Sequence, residues 1–241
     1  LAQVLLETGN ISLAQGDLPV ARQQFEESLA LGRQINDQLI MGRCLIELGK
    51  VAYLQGDLNR SQSLMTESLA VMRAIGHKQG QAISLNVLGV IAGDLGDRSA
   101  QQTYLQESLA ICQQTGDRMG TAFILLNLGS MASSQGEFEL AHQQISTSLK
   151  IFQSMGERAT YAEGLLYLGN VELLQGNFGA ARQRSKEALN LVRELGNNII
   201  HLPILVQLEW ITALLEGDLP AAQIALEEGL ILAREMDNAV L

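Results

Sequence analysis

The sequence predicts an all-α protein of about six antiparallel helix pairs. Three observations predict it: glycines in a 40-residue register, apolar residues at helical spacing between them, and a capping side chain after each second-column glycine. Gly9, Gly49, Gly89, Gly129 and Gly169 form one column, and Gly16, Gly56, Gly96, Gly136 and Gly176 form another. A third column, Gly76, Gly116, Gly156 and Gly196, is completed by Asn36, the residue after Gly that best tolerates a left-handed backbone. With Gly217, displaced to a 41-residue step by one extra residue near Asn197–Asn198, the columns absorb 15 of the 23 glycines. The glycine content is therefore architectural.

The segments between the second and third columns, such as Asp57 to Ile75, and those between the third and the next second column have helical length. In the second repeat Met41, Leu45, Leu48 and Ala52 mark the buried stripe of the first helix, and Leu58, Leu64, Met65, Ser68 and Met72 that of the second. Asp17, Asp57, Asp97, Glu137, Asn177 and Asp218 each follow a second-column glycine, where an acceptor can cap the next helix. The unit is helix, Gly-Asp turn, helix, Gly turn. Aromatics make up only 4% of the chain and no alternating run survives comparison with the helical pattern, so strands are not expected. The repeats run approximately 1–37, 38–77, 78–117, 118–157, 158–197 and 198–238, forming a single array over 1–241. In the sixth, Trp210 replaces the first-column glycine and Pro203 lies near the helix start, which suggests a distorted or capping repeat or simply a diverged one. Met236–Leu241 reads as the opening of a seventh unit with Asp237 at the left-handed column, so the chain is expected to be a piece of a longer protein.

These units resemble the tetratricopeptide pattern, W-x2-L-G-x2-Y followed by A-x3-F. The Leu-Gly pair recurs as Leu48-Gly49, Leu88-Gly89, Leu128-Gly129 and Leu168-Gly169, and Ala21 with Phe25 matches the second-helix pair. The Trp position holds Leu5, Leu45, Leu85, Leu125 and Leu165, and the Tyr position Ser12, Ala52, Ala92, Ala132 and Glu172. With the longer period, the resemblance is to the 40-residue variety found in spindle-orientation adaptors, kinesin light chains and maltose-activator-type signalling ATPases. It implies a right-handed superhelical solenoid whose first helices line a concave groove.

On that expectation, positions spaced i, i+4, i+7 along the first helices supply the exposed stripe. They are Gln3, Glu7 and Asn10; Arg43, Glu47 and Lys50; Ile83, Val87 and Val90; Phe123, Asn127 and Ser130; Glu163, Tyr167 and Asn170; then Ile204, Leu208 and Ile211. Charge gives way to an apolar floor at Ile83, Val87, Val90 and Phe123, followed by polar hooks. The candidate groove residues are Asn10, Arg43, Lys50, Ile83, Asn86, Val87, Val90, Phe123, Asn127, Ser130, Tyr167 and Asn170. Asn127 and Asn170 also fall where the resembling adaptors grip their ligands. Arg43 and Lys50 could clamp a carboxylate, although Glu47 between them can neutralise both. The alternative for every one of these residues is structural: apolar members between helices, amides in solvent.

The formal charge of −10 opposes a phosphate backbone as ligand, and from Pro203 to Leu241 seven acids face one base. No apolar run reaches the roughly 18 residues of a membrane helix. Cys44 and Cys112 are outside metal spacing and fall on helices too far apart for a disulfide, which fits a cytoplasmic location. His77, His142 and His201 form no relay, no phosphate loop or nucleophile elbow occurs, and neither enzyme activity, cofactor nor metal is expected. The expected function is a protein-protein or peptide-binding scaffold. Its alternatives are a sensor segment of a larger signalling ATPase or transcription regulator, and a self-assembling spacer joined through exposed terminal repeats.

Overall fold

The computed structural model describes residues 1–196, 204, 206 and 219–238. Eleven helices are described: α1 (Ala2–Ala14), α2 (Leu18–Gln34), α3 (Gln38–Leu54), α4 (Leu58–Ala74), α5 (Lys78–Asp94), α6 (Arg98–Thr115), α7 (Arg118–Ser134), α8 (Phe138–Met155), α9 (Arg158–Leu174), α10 (Phe178–Leu195) and α11 (Leu219–Asn238). No strand occurs among the described residues. The starts of α3, α5, α7 and α9 differ by 40 residues each, as do those of α2, α4, α6, α8 and α10, so the periodicity is realised element by element.

Two compact units are present, Leu1–Ile124 and Leu125–Leu241. In the first, α1 pairs with α2, α3 with α4 and α5 with α6; α2 lies on α3, α4 lies on α5, and α1, α3 and α5 touch in succession. Leu6, Phe25, Cys44, Leu45 and Leu48 belong to one of its buried clusters. In the second, α9 lies between α8 and α10, and Ile145, Leu149, Leu165, Leu168 and Val192 form the core. Ile204 is fully buried in that core, which corrects the expectation of an exposed stripe there. A branched aliphatic side chain gains more from helix contacts than from solvent. Leu208 and Ile211, like Pro203, Trp210 and Asp218, lie outside the described residues.

The first glycine column is a column of close approach. A Cβ on Gly9 would stand 2.4 Å from Phe25, one on Gly49 2.7 Å from Met65, and one on Gly129 2.5 Å from Ile145. The other columns serve the turns: Gly56 and Gly136 both have φ +78°, and Asn36 has φ 54°. The next helix starts are capped where the side chain has the right reach. Asp17, Asp57 and Asp97 accept from Val20, Arg60 and Ala100 backbone N–H groups at 3.0–3.1 Å. Glu137 and Asn177 occupy the same position without making that bond, contrary to expectation. Glutamate carries its oxygens one methylene too far, and the Asn177 amide donates to Gln175 instead. Asp37, His77 and Asp117 cap the first helices of their repeats, accepting from Ile40, Gly80 and Gly120. Asp237 is helical rather than left-handed, because α11 continues to Asn238.

Candidate groove on the first helices

Within the first unit, two neighbouring hollows open on the face carried by the first helices. One, of about 370 Å³, lies between α5 and the opening turns of α7, with Ile83, Asn86, Val87, Met119, Phe123 and Ile124 among its walls. The one-turn spacing of Ile83 and Val87 puts both on one stripe of α5. Gly120 lets α7 approach α6, since a Cβ there would stand 2.7 Å from Cys112 Sγ. Lys50 of α3 and Asp117 of the preceding turn supply charge to the lining. Cys112 contributes a buried thiol whose pKa is pushed up to about 11 by burial and then by the Asp117 carboxylate, so it is a neutral wall group.

The other hollow, also about 370 Å³, is lined by Arg43, Glu47, His77 and Gln79 among others, and it shares Gln79 and Ile83 with the first. Its ion pairs are internal. Lys50 Nζ donates to Glu47 at 2.9 Å, and Arg43 donates to Glu7 of α1 at 3.1 Å. Glu47 thus neutralises one of the two cations rather than both.

The structure accordingly brings Lys50, Ile83, Asn86, Val87 and Phe123 together around one hollow and puts Arg43 in the adjoining one. Asn10 on α1 and Val90 on α5 are half-buried and line neither. Asn127, Ser130, Tyr167 and Asn170 belong to the second unit, on α7 and α9. There Asn170 is exposed and the other three are half-buried. Asn86, Phe123, Asn127, Tyr167 and Asn170 each have an interaction within the chain. Glu163, on the same stripe of α9, has its pKa raised by burial alone.

Sequence reasoning missed Gln79 and Met119, which lie one turn before Ile83 and Phe123 on the same stripe, because each triplet began a turn later, and Ile124, which lies beside the stripe. It also missed a column of buried serines. Ser28, Ser68 and Ser108 donate to the carbonyls of Ala2, Gly42 and Ala82, fastening each second helix to its own first helix. The signal was available, since Ser28, Ser68, Ser108 and Ser148 keep the same 40-residue step. Among the described residues no group of His, Cys, Asp and Glu could hold a metal ion, and no described helix is long and apolar enough to cross a membrane.

The sequence profile of the Tetratricopeptide repeat matches residues 1–74 and 81–154, more than half of the chain, and the protein belongs to that family. Among solved structures, it is similar to a Rap protein complexed with competence and sporulation factor: identity 15%, TM-score 0.81, 98% of this chain and 65% of that one covered. It is similar to NprR in complex with its cognate peptide NprX at 13% identity and TM-score 0.75, covering 99% of this chain and 69% of that one. It is also similar to a signal transduction ATPase with a tetratricopeptide repeat sensor from Pyrococcus horikoshii, at 16% identity and TM-score 0.66, covering 99% of this chain and 37% of that one. At these identities the likeness is one of fold. This chain spans 65% of the length of the Rap protein it matches. No match was found among curated proteins.

Proposed function

We propose that this protein binds a peptide or a peptide-like segment of a partner protein on the face carried by its first helices. The observation that carries the reading is the hollow between α5 and α7, whose apolar walls Ile83, Val87, Met119 and Phe123 lie beside Asn86 and Lys50. An apolar side chain of the ligand enters the hollow while amide and charged groups meet its main chain and flanks, the usual division of labour in a peptide groove. That the Rap and NprR structures hold a factor or peptide supports the reading, as fold likeness and no more. The net charge of −10 favours a ligand that is not itself strongly acidic and counts against nucleic acid. The two buried free thiols, Cys44 and Cys112, suit a reducing compartment such as the cytoplasm.

A regulatory version of this reading is supported by the likeness to the Pyrococcus horikoshii sensor repeats: the groove takes an effector and reports it to an attached output domain. Both versions use the same site. Panning a displayed random-peptide library on the whole chain and titrating the recovered peptides tests it. Phe123→Ala is expected to weaken the selected peptides by roughly tenfold or more, the loss typical of an anchor contact. Peptides that bind this variant as well as the parent would remove the hollow from the account.

A further inference from the structure

Two charged side chains, Lys50 and Asp117, line the hollow between α5 and α7, and only the first has its charge answered. Lys50 Nζ donates to Glu47 at 2.9 Å, and Arg43 of the adjoining hollow donates to Glu7 at 3.1 Å, so the lysine and the arginine on this face are both paired with carboxylates. Among the described residues no ion pair includes Asp117. Its carboxylate makes one hydrogen bond there, the cap of α7, in which Oδ1 accepts from the Gly120 N–H at 2.8 Å.

That cap leaves Oδ2 without a donor, and Gly120 leaves it uncovered. A Cβ on Gly120 would stand 2.7 Å from Asp117 Oδ2 and 2.7 Å from Cys112 Sγ, and all three residues line the hollow. The equivalent turns of this unit lack the combination: Asp37 caps ahead of Ile40, which carries the Cβ that Gly120 lacks, and His77 caps ahead of Gly80 with an imidazole. The charge is felt in the wall, since after burial it is the Asp117 carboxylate that raises the Cys112 pKa. The positive end of the α7 dipole offsets about half a charge, which leaves a net anion. Asp117 is half-buried beside apolar walls, where an opposite charge is worth more than in open water.

We propose that the peptide taken by this hollow carries a basic side chain, lysine or arginine, within two residues of its apolar anchor, and that Asp117 Oδ2 receives the cation. The inference rests on the peptide reading above and narrows its ligand. Ile83, Val87, Met119 and Phe123 take the anchor while the carboxylate selects what flanks it. A hollow of about 370 Å³ is roughly 7 Å across, the span of two residues of extended chain, which sets the spacing between anchor and base. The net charge of −10 attracts the same class of ligand from a distance.

Panning one displayed random-peptide library in parallel on the parent chain, Asp117→Asn and Phe123→Ala tests the assignment, with helicity checked for each variant. Asparagine caps a helix as well as aspartate does, so Asp117→Asn removes the charge and keeps the fold. Peptides recovered on the parent are expected to join an aromatic or large aliphatic residue to Lys or Arg at most two positions away, and those recovered on Asp117→Asn to keep the apolar residue and lose the base. One selected peptide is expected to bind Asp117→Asn roughly tenfold more weakly, the scale of a hydrogen bond to a charged group. Changing its base to glutamine is expected to cost the parent the same factor, with no further loss when the two changes are combined. Neutral or acidic flanks, a base enriched equally on Asp117→Asn, or losses that multiply on combination would overturn the assignment and leave the peptide reading in place so long as Phe123→Ala weakens binding. A parent that recovers no apolar-anchored peptide, or recovery indifferent to Phe123→Ala, would overturn both.

Discussion

At the scale of single residues, the same amino acid type does two unrelated jobs, and substitution separates them. At Gly129 the neighbouring helix fills the space: an added Cβ would stand 3.2 Å from the Ala141 carbonyl oxygen as well as against Ile145, and backbone cannot swing aside. Gly136, seven residues on, has open space but a φ of +78°. Gly129→Leu is expected to cost about 3 kcal/mol or more by forcing the pair apart, the upper end of the overpacking range. Gly136→Ala is expected to cost about 1–2 kcal/mol from the left-handed backbone alone. Urea denaturation of both variants checks the order; equal losses would contradict the distinction.

Glu163 supplies a second prediction at this scale. Its pKa is raised from 4.5 by burial, so the folded state keeps the proton at pH values where the unfolded chain has released it. Stability attached to this group is therefore highest below the ordinary carboxylate range and falls as the pH rises through the elevated folded value. Glu163→Gln removes the charge that burial penalises. The variant is expected to melt above the parent at neutral pH, with the difference closing as the pH drops below about 4, and a melting-temperature series across pH would reveal it.

At the scale of the helix, start signals show what periodicity can and cannot carry. The 40-residue step located every start from α2 to α10, because hydrophobic spacing and turn glycines repeat together. It did not distinguish Asp57, which caps, from Glu137, which does not, because that difference depends on side-chain length against a fixed backbone. Glu137→Asp is expected to add about 0.5–1 kcal/mol by supplying the missing bond to the first turn of α8. A thermal melt would show it, and an unchanged midpoint would mean that α8 gains nothing from a cap. Asp237 misled for a related reason: its place in the register resembled a helix stop, but only a residue tolerant of positive φ stops a helix there, as Asn36 does. His77 is the converse case: the register did not mark it as a cap, and the backbone geometry reveals Nδ1 as the cap of α5.

At the scale of the whole molecule, repeats that contact chiefly their neighbours make stability a sum of local terms, while function depends on what changes from repeat to repeat. The conserved step concerns Phe25, Met65, Leu105 and Ile145 under their glycines. The groove lies in residues that do not repeat. Ile83, Val87 and Phe123 stand where the earlier repeats have Arg43, Glu47 and Gln3, and that contrast was legible in the sequence because register makes equivalent positions comparable. The hollow's depth was not legible, since it depends on how closely α7 approaches α6 at Gly120 and on Ile124, which lies off the stripe.

Methyl NMR of the full chain titrated with a library-selected peptide asks whether a peptide seats in this hollow. The methyl signals of Ile83, Val87, Met119 and Ile124 are expected to shift with one common saturation curve, while those of Val20 and Leu140 on the second helices stay in place. Shifts confined to second-helix methyls, with Ile83 and Val87 unmoved at saturation, would contradict it.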